Sequence, residues 1–295
     1  MYAICGATGN IGRIIAERLL DQGRKVRVIG RNAKKLQPLA DRGADAIVAD
    51  LTDTKAITKA FTGATAVYVL IPPNMTAKDV RKYQNRIGES ITTAIKNSGV
   101  RHVVNLSSVG AHKSEGMGIV NGLYDQEQRL NKLEGVNVLH LRPSFFMENH
   151  LWQLNTIKEH GMLASTMKAD TPVAQIATAD IAEFAVKRIT DLDFTGKVTR
   201  ELLGPNDVTM TDVATAIGTA IGTKNLNVQQ VSLDDTRKHM LGMGASESVV
   251  DSMIELYEAV NKGTWSPTEQ RRPENTTPTT IEAFSRTFST LYEKQ

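Results

Sequence analysis

Cysteine is nearly absent: one residue, Cys5, in 295. An internal disulfide is therefore excluded, and a lone thiol inside an apolar run fits a reducing, cytoplasmic compartment. No uncharged stretch approaches the roughly 18 residues of a membrane span; the longest apolar candidates, 66–71 and 213–221, are short. The chain starts directly on strand-like sequence, so no secretory leader is expected. Charge of one sign is not in excess: 35 basic against 32 acidic residues leave +3, with the signs interspersed. That is too little and too scattered to argue for nucleic acid. The histidines (His102, His112, His140, His150, His160, His239) form no ligand pair at helical spacing. Without a second cysteine, no metal centre is expected.

What remains is ordinary globular composition, 41% apolar and 23% charged, which excludes wholesale disorder and coiled coil. The first half alternates short apolar runs with helical patterns. Strands are expected at 2–5, 26–29, 46–49, 66–71, 102–106 and 136–141. Helices fall between them, the first with Ile11, Ile14, Ile15 and Leu19 at helical spacing. This rhythm predicts an α/β fold, a doubly wound parallel sheet of the Rossmann kind. A cofactor domain is expected over 1–150. The remainder, 151–295, is expected to form mainly a smaller α/β C-terminal substrate lobe, with strands near 174–178 and 198–203 completing the sheet. Helices are expected at 150–160, 180–189, 211–221, 247–262 and 280–292, a strand at 228–233, and a loop over 264–278.

The chemistry is concentrated in the turn after the first strand, Gly6-Ala7-Thr8-Gly9-Asn10-Ile11-Gly12. Gly6 permits a tight turn, Gly9 lets backbone approach a pyrophosphate, and Gly12 lets the helix pack close to the strand. Free N–H groups at the helix start, from Thr8 to Gly12, then face the phosphates. An acid at the end of the second strand would bind the ribose 2′-hydroxyl of NAD. Here stands Gly30-Arg31-Asn32, with Lys34 and Lys35 behind. A guanidinium matches a 2′-phosphate, which points to NADP(H). Arg31 also reads as a solvated surface arginine, and Lys34 and Lys35 as an exposed helix face.

The pattern Gly-x-x-Gly-x-x-Gly resembles that of atypical short-chain dehydrogenases/reductases. More closely, the chain resembles their NmrA-like group, through Arg31-Asn32, Asp50, Pro72 and the stretch Leu141-Arg142-Pro143-Ser144-Phe145-Phe146-Met147-Glu148-Asn149. The likeness covers about residues 1–205 well. It implies an NADP-binding Rossmann domain, with Asp50 and Leu51 beside the adenine and Leu70, Ile71 and Pro72 on the nicotinamide side. It implies an oxidoreductase similar to quinone, triphenylmethane-dye and azo-dye reductases, acting on a small aromatic or quinonoid molecule. The same group includes redox sensors that bind NADP(H) and regulate a protein partner without catalysis.

Short-chain dehydrogenases use a serine after the fifth strand and a Tyr-x-x-x-Lys pair. Ser107 and Tyr124 stand in the expected places, but Gln128 replaces the lysine that would lower the tyrosine pKa. Alcohol dehydrogenation is thereby put in doubt, whereas hydride delivery to a quinone or dye is not. Tyr124 also reads as an ordinary half-buried aromatic. Glu127 reads either as a residue orienting the ribose or nicotinamide or as a solvated helix position. The nucleophile turn Gly-x-Ser-x-Gly is absent, which argues against a hydrolase. Phe145, Phe146, Met147, Trp152 and Leu154 would line a pocket for a flat substrate or fill the core between lobes. The last helix is available for a homo-oligomer interface.

Overall fold

The computed structural model describes residues 1–294. Six parallel strands open the chain: β1 (Tyr2–Cys5), β2 (Val26–Gly30), β3 (Asp45–Val48), β4 (Ala66–Val69), β5 (His102–Leu106) and β6 (Asn137–Pro143). A seventh, Lys197–Leu202, pairs in parallel with β6 and closes that edge. The order from this edge strand is β6, β5, β4, β1, β2, β3. β1 therefore lies between β2 and β4, and the winding reverses between β1 and β4. In such sheets ligands bind outside the carboxyl ends at this reversal.

The sheet is covered on both faces, so its central strands are apolar throughout; all four residues of β1 and of β4 are buried. Ile15, Leu19, Leu36, Ile181 and Ile189 fill one face, from helices Asn10–Asp21, Ala33–Asp41 and Thr178–Asp191. Ile57, Phe61, Ile87 and Ile91 fill the other, from Thr54–Phe61 and Val80–Ser98. A separate core gathers Leu163, Val213, Ile217, Trp265 and Phe288 with Val109, Ala111 and Val120 from the first half of the chain.

The expected strand near 198–203 does complete the sheet. The one near 174–178 does not. It forms as Val173–Ile176 but pairs in parallel with Phe145–Phe146 and antiparallel with Asp207–Val208, in a small sheet of its own. Strand partners are chosen by non-local packing, which a short apolar run does not encode. Several elements escaped the sequence pattern, among them the strand Met162–Ser165, paired with Asn227–Gln230, the short strands Phe145–Phe146 and Asp207–Val208, and the helix Leu233–Gly242, capped by Ser232. The helical stretch expected at 150–160 begins earlier, as a 3₁₀ segment Met147–Gln153 running into Leu154–His160. That changes the facing of the aromatic cluster. Met147 and Leu154 are core, whereas Trp152 is 75% exposed and lines no core.

Segments far apart in the chain interlock at defined points. Ser246 N–H donates to Met75 O (2.9 Å), and the Ser246 hydroxyl to Ala77 O (2.5 Å). Val80 N–H donates to the Ser248 hydroxyl at 3.0 Å. Gly118, at φ +54°, sits so close to helix Glu247–Asn261 that a Cβ there would be 1.9 Å from Ser252 O. The loop following Trp265 is held by Glu201, which is fully buried and accepts from Thr268 N–H (2.6 Å), Thr268 Oγ1 (3.0 Å) and Glu269 N–H (2.7 Å). No helix among the described residues is long and apolar enough to cross a membrane.

Candidate functional site

The glycine turn lies at the reversal point of the sheet, and each glycine has a distinct reason. Gly6 has φ +63°, and Leu70 from the β4 end covers it: a Cβ would meet Leu70 Cδ2 at 2.7 Å. At Gly12 a Cβ would lie 2.5 Å from Gly6 O and 2.9 Å from Cys5 O. Only glycine lets this helix pack so near the strand. Gly9 differs: its backbone is extended, and a Cβ would meet nothing nearer than Gly6 O at 3.4 Å. The protein itself does not demand glycine there, so the open space above it is available to a ligand.

Thr8, Gly9 and Asn10 are exposed, while Ala7, Ile11 and Gly12 are buried. The helix Asn10–Asp21 has no capping side chain and no acid in its first turn. The neighbouring helices are capped by Asn32, Asp53 and Asp79. An uncapped N-terminus beneath exposed glycine is a place for an anion.

Arg31 follows β2 and is exposed, with no carboxylate partner among the described residues. Asn32 is explained locally: its side chain accepts from Lys35 N–H at 3.1 Å and caps the next helix. Lys35 itself is exposed on that helix. Asp50 accepts from Thr52 N–H (2.8 Å) and Thr52 Oγ1 (2.7 Å). These bonds hold its carboxyl below the usual range, and Arg31 and Arg86 add to the effect. Leu51 is buried beneath it, and Leu70, Ile71 and Pro72 are half-buried at the β4 end. The dinucleotide set read from sequence thus converges on one edge of the sheet.

The acid–base candidates behave differently. Ser107 and Glu127 do meet: the Ser107 hydroxyl donates to Glu127 Oε1 at 2.5 Å. Glu127 is 1% exposed and is no solvated helix position. Arg142 reaches it from β6 with Nε to Oε1 at 2.9 Å and a second bond to Oε2 at 2.5 Å. Burial pushes the Arg142 guanidinium down in pKa, but Glu127 outweighs this and the net direction is up. Both Glu127 oxygens and the Ser107 proton are thus spent inside the protein. Tyr124, on helix Asn121–Asn131, is half-buried and remains apart from this network.

The Arg142 to Asn149 stretch now has a physical meaning. Arg142 neutralises Glu127, and Glu148 caps the helix Thr178–Asp191 by accepting from Thr178 N–H (2.9 Å) and Thr178 Oγ1 (2.6 Å). Neither role was read from the sequence, although a charge inside an apolar strand is a signal that a partner exists. His140 is a satisfied core histidine: its Nδ1 accepts from Asn105 (3.1 Å) and its Nε2–H donates to Asn131 (3.0 Å). His112 is exposed in the loop after Ser108.

Comparison with known proteins agrees with this geometry. The NmrA-like family model matches residues 2–285. The chain belongs to the NmrA-like family. It is 27% identical over 257 residues to the NAD(P)H azoreductase of Xenophilus azovorans, covering 87% of this chain and 86% of that protein. Its fold is that of the NADPH-dependent quinone oxidoreductase QOR2 of Escherichia coli in complex with NADPH. There the TM-score is 0.81 at 24% identity, covering 99% of this chain and all of that one (100%). The Citrobacter sp. triphenylmethane reductase complexed with NADP(H) gives 0.82 at 20% identity, with 98% and 100% covered.

Proposed function

We propose that this NmrA-like protein is an NADPH-dependent oxidoreductase that passes hydride to a small aromatic or quinonoid acceptor. The observation that carries the cofactor class is the unpartnered Arg31 guanidinium after β2, where an acid would select NAD. The azoreductase, quinone reductase and triphenylmethane reductase likenesses support the acceptor class.

The chain's own residues do the binding and orienting. The Gly9 N–H is already given to Gly6 O at 2.9 Å, so the N–H groups of Thr8, Asn10, Ile11 and Gly12 hold the pyrophosphate at the uncapped helix, with Gly9 leaving room for it. Arg31 holds the 2′-phosphate, with Lys35 adding to the field. Asp50 and Leu51 bound the adenine, and Leu70, Ile71 and Pro72 the nicotinamide end. When bound, a reduced nicotinamide supplies the hydride. Ser107 does not donate a proton to substrate while that proton rests on Glu127. Glu127 is a positioning residue, fixing the β5 end through Ser107 and the β6 end through Arg142. Tyr124 remains as the hydroxyl free to approach an acceptor, without a lysine to activate it. A quinone or dye fits this arrangement, because it accepts hydride and then takes its proton from water.

The inward use of Ser107 and Glu127 also favours a second reading, a redox sensor that binds NADP(H) and regulates a protein partner. Titration of the apoprotein with NADPH, NADH and NADP⁺, repeated with Arg31→Ala, tests the cofactor assignment. A selective loss of NADPH affinity is expected, and an indifferent variant would remove the 2′-phosphate argument. A quinone and dye screen following NADPH oxidation then separates the two readings: turnover supports the reductase, and tight binding without turnover on any acceptor supports the sensor.

A further inference from the structure

We propose that Arg86 is a second specificity residue, its guanidinium sharing the NADP(H) 2′-phosphate with Arg31. The proposal rests on the cofactor reading above and deepens it.

The helix Val80–Ser98 supplies the geometry. Thr54, at the start of the helix that follows Asp50, donates through Oγ1 to Ser90 Oγ at 3.0 Å. This bond fixes which face of Val80–Ser98 looks toward the β3 end, and at what height. Arg86 is four residues before Ser90, on the same face and about 6 Å further along the axis. The helix begins at the carboxyl edge of the sheet, so that step carries Arg86 outward, past the level of Thr54 and toward Asp50. Tyr83 lies one turn further out on this face, half-buried against the cores containing Leu51 and Val80. Tyr83 and Arg86 thus lie on the face of this helix that Ser90 turns toward the start of the helix after Asp50.

Charge favours an anion between the two arginines. The other cations at the start of this helix are already paired: Arg81 with Asp125 at 2.8 Å and Lys82 with Asp79 at 3.0 Å. Arg86 has no carboxylate partner among the described residues and is exposed. Asp50 is the acid whose charge both Arg31 and Arg86 act on, and its Oδ1 accepts from Thr52. Two guanidiniums against one carboxylate leave about one positive charge, and a 2′-phosphate brings about −1.5 to −2. The direction of the Asp50 shift, with both arginines contributing, places all three groups in one field.

The test is calorimetric titration of wild type, Arg31→Ala and Arg86→Gln with NADPH and NADH. Adenosine 2′,5′-bisphosphate and 5′-AMP serve as probes of the adenosine end alone. Arg86→Gln is expected to weaken NADPH and the bisphosphate roughly ten- to a hundredfold, the worth of a charge-assisted contact. NADH and 5′-AMP should stay within about twofold, well under the tenfold step of 1.4 kcal/mol. Equal weakening of phosphorylated and unphosphorylated ligands would overturn the proposal, because Arg86 would then contact the adenine. Unchanged affinities would overturn it as well. If wild type bound NADPH no better than NADH and Arg31→Ala were indifferent, the underlying cofactor reading would fail instead.

Discussion

Two of the turn glycines look alike in sequence but should respond oppositely to a single methyl group. At Gly12 an alanine Cβ would sit 2.5 Å from Gly6 O and 2.8 Å from Gly6 C, both backbone atoms that cannot swing aside. Overpacking of this kind costs about 1–3 kcal/mol. The alanine regains up to about 1 kcal/mol of helix propensity. From the middle of the overpacking range, about 2 kcal/mol, a net loss of about 1–2 kcal/mol remains, or about 2–8 °C in Tm at 2–4 °C per kcal/mol. At Gly9 the new Cβ would have 3.4 Å of room and φ of −97°, which alanine adopts freely. Its cost is that of a poorer cap residue, under about 1 kcal/mol. The same Cβ would, however, fill the space a pyrophosphate must enter. Scanning calorimetry and NADPH titration should therefore separate the pair. Gly12→Ala lowers Tm without any ligand. Gly9→Ala nearly keeps Tm yet loses at least about tenfold in NADPH affinity, or 1.4 kcal/mol. Full NADPH affinity in Gly9→Ala would refute the placement of the phosphates. An unshifted Tm in Gly12→Ala would refute the packing argument.

Three further outcomes are expected. Arg142→Ala leaves Glu127 buried and unpaired and should cost about 3–5 kcal/mol in urea unfolding; Glu127→Gln with Arg142→Met should recover much of that loss, and no recovery would show that the pair is not the cause. Glu148→Ala removes the cap of helix Thr178–Asp191 and should cost about 0.5–2 kcal/mol, with faster amide exchange confined to its first turn; unchanged exchange there would reject the cap. Burial lowers the pKa of His140 and of His150 to about 4. Between about 6.5 and 4 the unfolded chain takes up protons that the folded chain refuses, so stability falls as pH drops, by about 1.4 kcal/mol per pH unit for each imidazole. His140→Asn should flatten the decline measured by urea melts at pH 7, 6 and 5, and an unaltered slope would count against it.

Much of the cofactor half was legible because its signals are local. β1, the turn, the helix and β2 occupy one continuous segment, and glycine spacing reports backbone constraints that act within it. Arg31 was visible for the same reason, since it directly follows the second strand in the chain. Cys5 in an apolar run became a buried thiol, and the alternating rhythm became a doubly wound sheet.

Other features depend on contacts between distant segments. Val173–Ile176 reads as a strand from its residues, but only packing decided that it joins Phe145–Phe146 and not the main sheet. Glu127 reads either as a solvated helix position or as a residue orienting the ribose or nicotinamide, until Arg142, from β6, arrives to pair with it and compensates its burial. Trp152 reads as pocket or core, yet a turn of 3₁₀ helix points it to solvent. The Ser246 and Ser248 contacts with residues 75–80 join segments about 170 positions apart. Local backbone requirements and hydrophobic period are written into neighbouring residues. A buried charge or a strand's partner is satisfied only once remote elements are brought within reach, because Coulomb attraction and hydrogen bonding act over a few ångströms of space and take no account of sequence distance.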